Sequence, residues 1–342
     1  MHNYPWKSAG ICIFAPHADE VDRFCAFVRD VFAKDGIDTI VMIIRYNFMF
    51  ESHPECRGDY PLSREDVRKM VDACRACGIR LIPDMNLLGH QTVQDYVDPD
   101  GLLRSHPEFS ETPIAEAPEY SYSLCPNAPG LFELLCDLMD EVADAFDAKQ
   151  FHVGIDEVFY IGMCDRCRGK DPGDLLAEWL GKLHAHLSAR GIEMWMWGDR
   201  LLNAYECGHG PWDASQNGTH TALGQIPNDI VITDWHYHNW PRFPSVEVFA
   251  RAGHPIWLAP FNVAENAKLF LDYAKEHDGG NIVGIMETTW VPISYLMDGL
   301  EGKPAQPSEK WYPASVPHIV RCYKSIFRPE EPWDELPPED DE

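Results

Sequence analysis

Two kinds of apolar pattern alternate along this chain. Short continuous apolar runs, often β-branched, read as strands buried on both faces. They fall at 10–15, 39–44, 80–83, 151–155, 193–197, 230–235, 255–259 and 282–288. Between most of them, apolar residues recur at helical spacing. In 21–34, Val21, Phe24, Cys25, Phe27, Val28, Val31 and Phe32 share one face. Further helices are expected at 63–77, 129–146, 175–190, 246–252, 264–276 and 314–326. The second helix has Ser63 with Asp66 as its start signal and Gly78 as its stop. Residues 200–228 read as irregular with one short helix, and 88–127 as a long Pro-, Ser- and Tyr-rich loop of the kind that is usually functional.

Strict strand–helix alternation argues for an α/β fold with a parallel sheet and right-handed crossovers. Eight repeats fill the length a (β/α)8 TIM barrel needs. The expected organisation is a single catalytic barrel over 1–327, followed by a loose acidic, Pro-rich tail at 328–342. The second architecture in contention is an open doubly wound sheet. No Gly-rich loop follows the first strand, so nothing indicates a dinucleotide or phosphate site, and no cofactor is assigned.

Composition narrows the class of partner. The chain has 342 residues and a formal net charge of −27, with acids spread throughout and no basic patch. Nucleic acid and anionic membrane surfaces are therefore excluded as expected partners. The N-terminus lacks the basic start and apolar core of a signal peptide, and the expectation is a cytoplasmic chain. The eleven cysteines sit mostly in apolar patterns, which suits reduced thiols. Two C-x2-C pairs occur, Cys74/Cys77 and Cys164/Cys167, each half of a zinc site. The expected fold puts them at opposite ends of the barrel, and no metal is assigned. His236 and His238 alternate at a strand end with no third ligand evident. Asn217-Gly-Thr219 is a glycosylation sequon, meaningful only on a secreted chain.

The chemistry lies in the polar residues that close the strands, because barrel enzymes bind ligands at the C-terminal ends of their strands. The second strand ends at Arg45-Tyr-Asn47 and the third at Asp84-Met-Asn86, followed by Gly89-His90. The fourth ends at the adjacent acids Asp156 and Glu157, the fifth at Trp197-Gly-Asp199. The sixth ends at Asp234-Trp-His-Tyr237 and the eighth at Glu287-Thr-Thr-Trp290. Neighbouring side chains of a regular strand point to opposite faces, so Asp156 and Glu157 reach one ligand only where the strand ends and turns. Trp197, Trp235 and Trp290 supply flat apolar faces and the carboxylates supply acceptors, which together suit a sugar.

Three motifs then carry a resemblance. The stretch from Gly78 to His90 is similar to the third-strand motif of the family 20 glycoside hydrolases, the β-N-acetylhexosaminidases. Leu124-Cys-Pro-Asn127 resembles that family's stretch before the next helix, and His152-Val-Gly-Ile-Asp-Glu-Val158 resembles its H-x-GGDE signature. The resemblance covers about residues 10–295 and marks a divergent member. It implies a retaining exo-glycosidase that releases terminal β-linked GlcNAc or GalNAc by substrate-assisted catalysis. On that resemblance Glu157 is the general acid/base and Asp156 orients the 2-acetamido group. Trp197, Trp235 and Trp290 wall the sugar, Tyr237 bonds the acetamido oxygen, and His90 stands behind Glu157. Asp199, Arg45 and Glu287 complete the expected substrate contacts.

The chain departs from the family pattern in three places. Arg45-Tyr-Asn47 replaces an acidic sequence after the second strand. Phe14-Ala-Pro-His17 replaces an arginine after the first, and Val291-Pro292 follows Trp290 where a glutamate is common. The competing readings are a non-catalytic carbohydrate-binding barrel, a glycosidase for a different 2-acetamido sugar, and a hydrolase using the separated carboxylates Asp199 and Glu157.

Overall fold

The computed structural model describes residues 4–91, 101–111, 122–304, 307–308 and 310–331. Eight parallel strands close into a barrel in sequence order. They are β1 (Ser8–Phe14), β2 (Thr39–Ile43), β3 (Arg80–Asp84), β4 (Gln150–His152), β5 (Glu193–Trp197), β6 (Val231–Trp235), β7 (Ile256–Ala259) and β8 (Ile282–Thr288). β8 pairs back onto β1, with Ile11 opposite Glu287. The open-sheet alternative is thereby ruled out.

The helices are α1 (Val21–Phe27), α2 (Arg64–Ala76), α3 (Leu131–Phe146), α4 (Pro172–Ala189), α5 (Ala204–Cys207), α6 (Ser245–Ala252), α7 (Ala264–His277), α8 (Ile293–Leu300) and α9 (Tyr312–Phe327). α1 continues as a wider π-helical segment, Val28–Phe32. Ser63 caps α2 as its spacing predicts: Asp66 N–H donates to Ser63 Oγ and Ser63 N–H to Asp66 Oδ2. α8 is absent from the expected elements. Pro292 precedes it and it is only eight residues long, too short for a periodic signal.

The strands are apolar on both faces because they separate two cores. Inside the barrel, Cys12, Val41, Ile82, Trp195, Val231, Trp257 and Met286 pack together. Outside, Ile11, Ile40, Met194, Ile232, Leu258 and Ile285 meet the helices in a larger cluster. The inner core fills the barrel's lower part, so ligands are confined to the mouth at the strands' C-terminal ends. Arg328, the first residue assigned to the loose tail, is instead held by Asp35 at 2.8 Å. The tail beyond it, from 332, lies outside the described residues, as do 92–100 and 112–121 of the long loop. Among the described residues no helix is long and apolar enough to cross a membrane.

Candidate active site

β4 is the shortest strand because the chain turns sharply just beyond His152. Gly154, Ile155 and Glu157 all take positive φ, at 70°, 78° and 52°. These turns end the strand's alternation and bring the two adjacent acids to one place. His90 Nε2 lies 3.0 Å from Asp156 Oδ2 and 3.2 Å from Glu157 Oε2. A β-branched residue at positive φ costs on the order of 1–3 kcal/mol, and such strain concentrates at functional sites. Among the described residues, six non-glycine residues have positive φ, and five of them, Arg45, His90, Ile155, Glu157 and Trp290, stand at or beside the strand ends forming this mouth. The sixth, Asp147, caps α3.

The acids are braced from two sides. From the β3 side, Asn86 Nδ2 donates to Asp156 Oδ1 at 2.6 Å, while Asn86 Oδ1 accepts Ile155 N–H at 3.2 Å. Gln91, fully buried, fixes that loop: its amide donates to Asn86 O and Gly89 O and accepts from Tyr46 Oη and Leu102 N–H. Gly89 passes so close that a Cβ there would sit 2.4 Å from Asp156 O. From the β5 side, Asp199 Oδ2 accepts Glu157 N–H at 3.0 Å and Arg200 Nε at 2.5 Å, and Oδ1 accepts Trp235 Nε1 at 3.2 Å. The Asn217 amide donates to Val158 O and Phe159 O, pinning the chain just after Glu157. Asn86, Gln91 and Asn217 carry no role in the sequence reading. Asn217 stood out only as a sequon, and its amide turns inward.

The electrostatics follow from burial against charge. Burial opposes a charge on His90, but Asp156 and Glu157 outweigh it and hold the imidazolium well above the ordinary histidine range. Burial likewise pushes Asp156 up, yet His90 and the backbone bring it below the usual carboxylate range. Burial raises Asp199 to about 6 despite Arg200. Behind the site, His152 Nδ1 lies 2.5 Å from Asp84 Oδ2, both buried. Thr233 Oγ1 donates to Met196 O, so it accepts from His152 Nε2–H at 2.8 Å, which fixes that nitrogen as protonated. Burial raises Asp84 in spite of the facing imidazole.

The aromatic residues form a cup at the same mouth, where Trp235 reaches the Asp199 that braces Glu157. The Trp197 and Trp290 rings lie 5.9 Å apart, and Trp235 packs on Tyr237 at 4.7 Å. Tyr237 Oη accepts from Trp290 Nε1 at 2.8 Å and pairs with Thr288 Oγ1 at 3.1 Å, and the single Thr288 hydroxyl proton is shared between Tyr237 Oη and Pro260 O, also at 3.1 Å. Arg45 sits with its guanidinium 5.7 Å over Phe14, the residue that ends β1. It therefore covers the strand end where the family resemblance expects an arginine.

Two expected substrate contacts take other places. Glu287 does not reach the cup. Met286 and Thr288 take the inward positions of β8, so Glu287 points outward toward Cys322 on α9, fully buried. Asp199 is at the mouth, but both oxygens are bound by protein donors. It braces Glu157, and this also removes the ground for an Asp199–Glu157 hydrolase. His236 likewise faces outward: Nε2 meets Ser245 Oγ at 2.8 Å and Nδ1 lies 3.5 Å from Asp213, outside the cup.

A closed parallel barrel with an aromatic cup and an acid pair in the turn after its fourth strand is a scaffold suited to glycoside hydrolysis. The chain belongs to glycosyl hydrolase family 20, whose catalytic-domain family model matches residues 46–298. A beta-hexosaminidase of Vibrio furnissii is 28% identical over 266 residues, 75% of this chain and 38% of that protein. A lacto-N-biosidase of Bifidobacterium bifidum is 24% identical over 186 residues, 51% of this chain and 14% of that protein. The chain thus spans less than half the length of these relatives. A beta-N-acetylhexosaminidase structure from Bacteroides fragilis shares the fold, with a TM-score of 0.63 at 16% identity over 85% of this chain and 63% of that one.

Proposed function

We propose that the chain is a retaining exo-glycosidase releasing terminal β-linked N-acetylhexosamine, GlcNAc or GalNAc, from a glycan or glycoconjugate by substrate-assisted catalysis. The observation that carries this reading is the convergence of Asp156 and Glu157 on one imidazole nitrogen at the same mouth as an aromatic cup. Family membership and the names of the beta-hexosaminidase relatives support it.

The acetamido oxygen of the sugar forms a bond to the anomeric carbon as the bond to the leaving oxygen breaks. Glu157 gives that oxygen its proton. Asp156 accepts the acetamido N–H, orients the group, and stabilises the charge on the resulting oxazolinium ring. Water then attacks the anomeric carbon, Glu157 takes its proton, and the ring reopens, so configuration is retained. Tyr237 donates to the acetamido oxygen, and Trp197, Trp235 and Trp290 pack the methyl and sugar faces. When Asp156 turns to the acetamido N–H, His90 loses part of its carboxylate support. Its proton is then released toward Glu157, the neighbour 3.2 Å away.

The test is hydrolysis of 4-nitrophenyl N-acetyl-β-glucosaminide and its galacto epimer by wild type, Asp156→Asn and Glu157→Gln. Turnover lost in both variants, with binding of a thiazoline mimic retained by the wild type, supports the reading. A folded wild type that binds the mimic without turnover makes the chain a carbohydrate-binding barrel. Turnover of a sugar lacking the acetamido group overturns the mechanism.

A further inference from the structure

Beyond the sugar site, the loops after β3 and β4 bring four metal-ligating side chains together. Cys125 Sγ lies 3.4 Å from both Cys164 Sγ and Cys167 Sγ. Glu111 completes the group, all four ligand atoms lying within 4.8 Å of one another. The backbone that carries them is ordered by its own bonds. Ser110 and Leu124 form an antiparallel bridge that sets Glu111 beside Cys125. Cys167 N–H and Arg168 N–H both turn back to Cys164 O, at 3.0 and 2.7 Å, folding the C-x2-C into a tight chelating turn.

The carboxylate is the informative member. Glu111 is fully buried. Its Oε1 accepts the N–H groups of Met163 and Cys164, at 2.6 and 3.1 Å, which holds the side chain in place. Its Oε2 is buried without a hydrogen-bond partner. An acceptor fixed in this way and left bare among three sulfurs is costly unless a cation meets it. The sulfurs are also supplied with donors suited to thiolates: Asn127 Nδ2 points at Cys167 Sγ at 3.2 Å, and the Arg166 guanidinium lies beside Cys164 and Cys125.

We propose that Glu111, Cys125, Cys164 and Cys167 bind one zinc ion in a closed structural site that ties the loop after β4 to the loop after β3. Three thiolates select a soft or borderline ion, and four protein ligands leave no open position for catalysis. Zinc–sulfur bonds of ~2.3 Å in a tetrahedron set sulfurs ~3.8 Å apart, a small adjustment from 3.4 Å. A disulfide would join only two of the three sulfurs and leave Glu111 Oε2 unmatched. The site follows Glu157 by seven residues in sequence, Glu157 to Cys164. The zinc would therefore stiffen the segment that leaves the acid, and the inference does not depend on which sugar is cleaved.

The experiment measures metal directly on the whole chain. Protein expressed with zinc and purified under reducing conditions is expected to hold about one zinc per chain by elemental analysis. Cobalt-substituted protein is expected to show thiolate charge-transfer and tetrahedral ligand-field bands. Cys164→Ser is expected to lose the zinc, and Glu111→Gln, which keeps the backbone hydrogen bonds, to weaken it at least tenfold. Cys74→Ser is expected to keep it. Wild type without stoichiometric zinc or cobalt bands, zinc unchanged in Cys164→Ser, or a disulfide among the three cysteines by mass spectrometry would each overturn the proposal. The wild-type spectra and stoichiometry decide the matter even where a variant fails to fold.

Discussion

Asp199 accepts the backbone N–H of Glu157 through Oδ2 at 3.0 Å, so the acid's main chain is hung on the neighbouring strand. The same carboxylate takes Arg200 Nε on Oδ2 and Trp235 Nε1 on Oδ1, and both of its oxygens are filled. An amide offers one acceptor oxygen and presents N–H groups where the other oxygen was. Asp199→Asn therefore sets a donor against a donor, at Trp235 or at Glu157. Displacement of a catalytic group by a fraction of an ångström costs up to about 100-fold. The expected outcome on a 4-nitrophenyl N-acetylhexosaminide is kcat lowered roughly 10- to 100-fold with KM changed much less. A variant whose KM rises while kcat holds would show Asp199 gripping the sugar instead of the acid.

The His90–Asp156–Glu157 arrangement predicts a pH response. Burial works against the His90 cation, and the two carboxylates outweigh it, so the proton stays on well above the ordinary histidine range. If the proton destined for the leaving oxygen resides in this group, the alkaline limb of kcat/KM reports its loss. Asp156→Asn removes one of the two supporting charges, and the limb is expected to fall by at least about one pH unit, alongside the loss of rate. Profiles from about pH 5 to 9 on wild type, and on the residual rate that Asp156→Asn keeps at high enzyme concentration, decide this. A limb that stays in place would detach His90 from the proton's route.

Glycines distinguish packing at the site from ordinary flexibility. A Cβ at Gly89 would lie 2.4 Å from Asp156 O and 3.3 Å from Val158 Cγ2. Gly89→Ala must move the backbone that carries the acids, at a cost of about 1–3 kcal/mol. Gly181 lies within α4 with nothing inside 4 Å of such a Cβ. Gly181→Ala is expected to stabilise by about 0.5–1 kcal/mol, the usual helix gain. Urea unfolding should separate the two in sign, with activity falling only for Gly89→Ala. Equal effects would mean that the β3 loop yields freely and is not a brace.

The barrel was legible because a strand buried on both faces must be apolar along its whole length, and helices between such strands carry their own period. The acid pair stood out only through its context, because adjacent acids are common and it was their place at a strand end and within His152-Val-Gly-Ile-Asp-Glu-Val158 that marked Asp156 and Glu157. Parity and partnership escaped the sequence. In β8 both faces are buried, so no polar alternation shows whether Met286 or Glu287 looks inward; pairing with β1 and β7 sets it. The sequence also placed Asn86 at a strand end without revealing that its amide spans Ile155 and Asp156. Cys164 and Cys167 were visible as a half-site. Their counterparts Glu111 and Cys125 are distant in sequence, and only the fold brings them beside the pair.

Glu287 gives the sharpest stability test of that parity. It lies outside the barrel wall, facing Cys322, and burial raises its carboxyl well above the ordinary range. The Cys322 thiol donates to Phe261 O, and neither Glu287 oxygen has a hydrogen-bond partner. The folded state thus favours the protonated acid, while the unfolded chain ionises it near ~4.3. The stability this group contributes is fully present below the unfolded value and is lost as pH rises toward the folded one. Glu287→Gln keeps the shape and removes the titration. Its advantage over wild type is expected to grow as pH rises above ~4.3, by at most about 1.4 kcal/mol per pH unit, until the folded acid itself ionises. Urea unfolding at about pH 5 and about pH 7 measures the difference, and turnover should be unaltered because the side chain is behind the sheet. A constant stability gap, or a variant that loses sugar binding, would place Glu287 inside the cup after all.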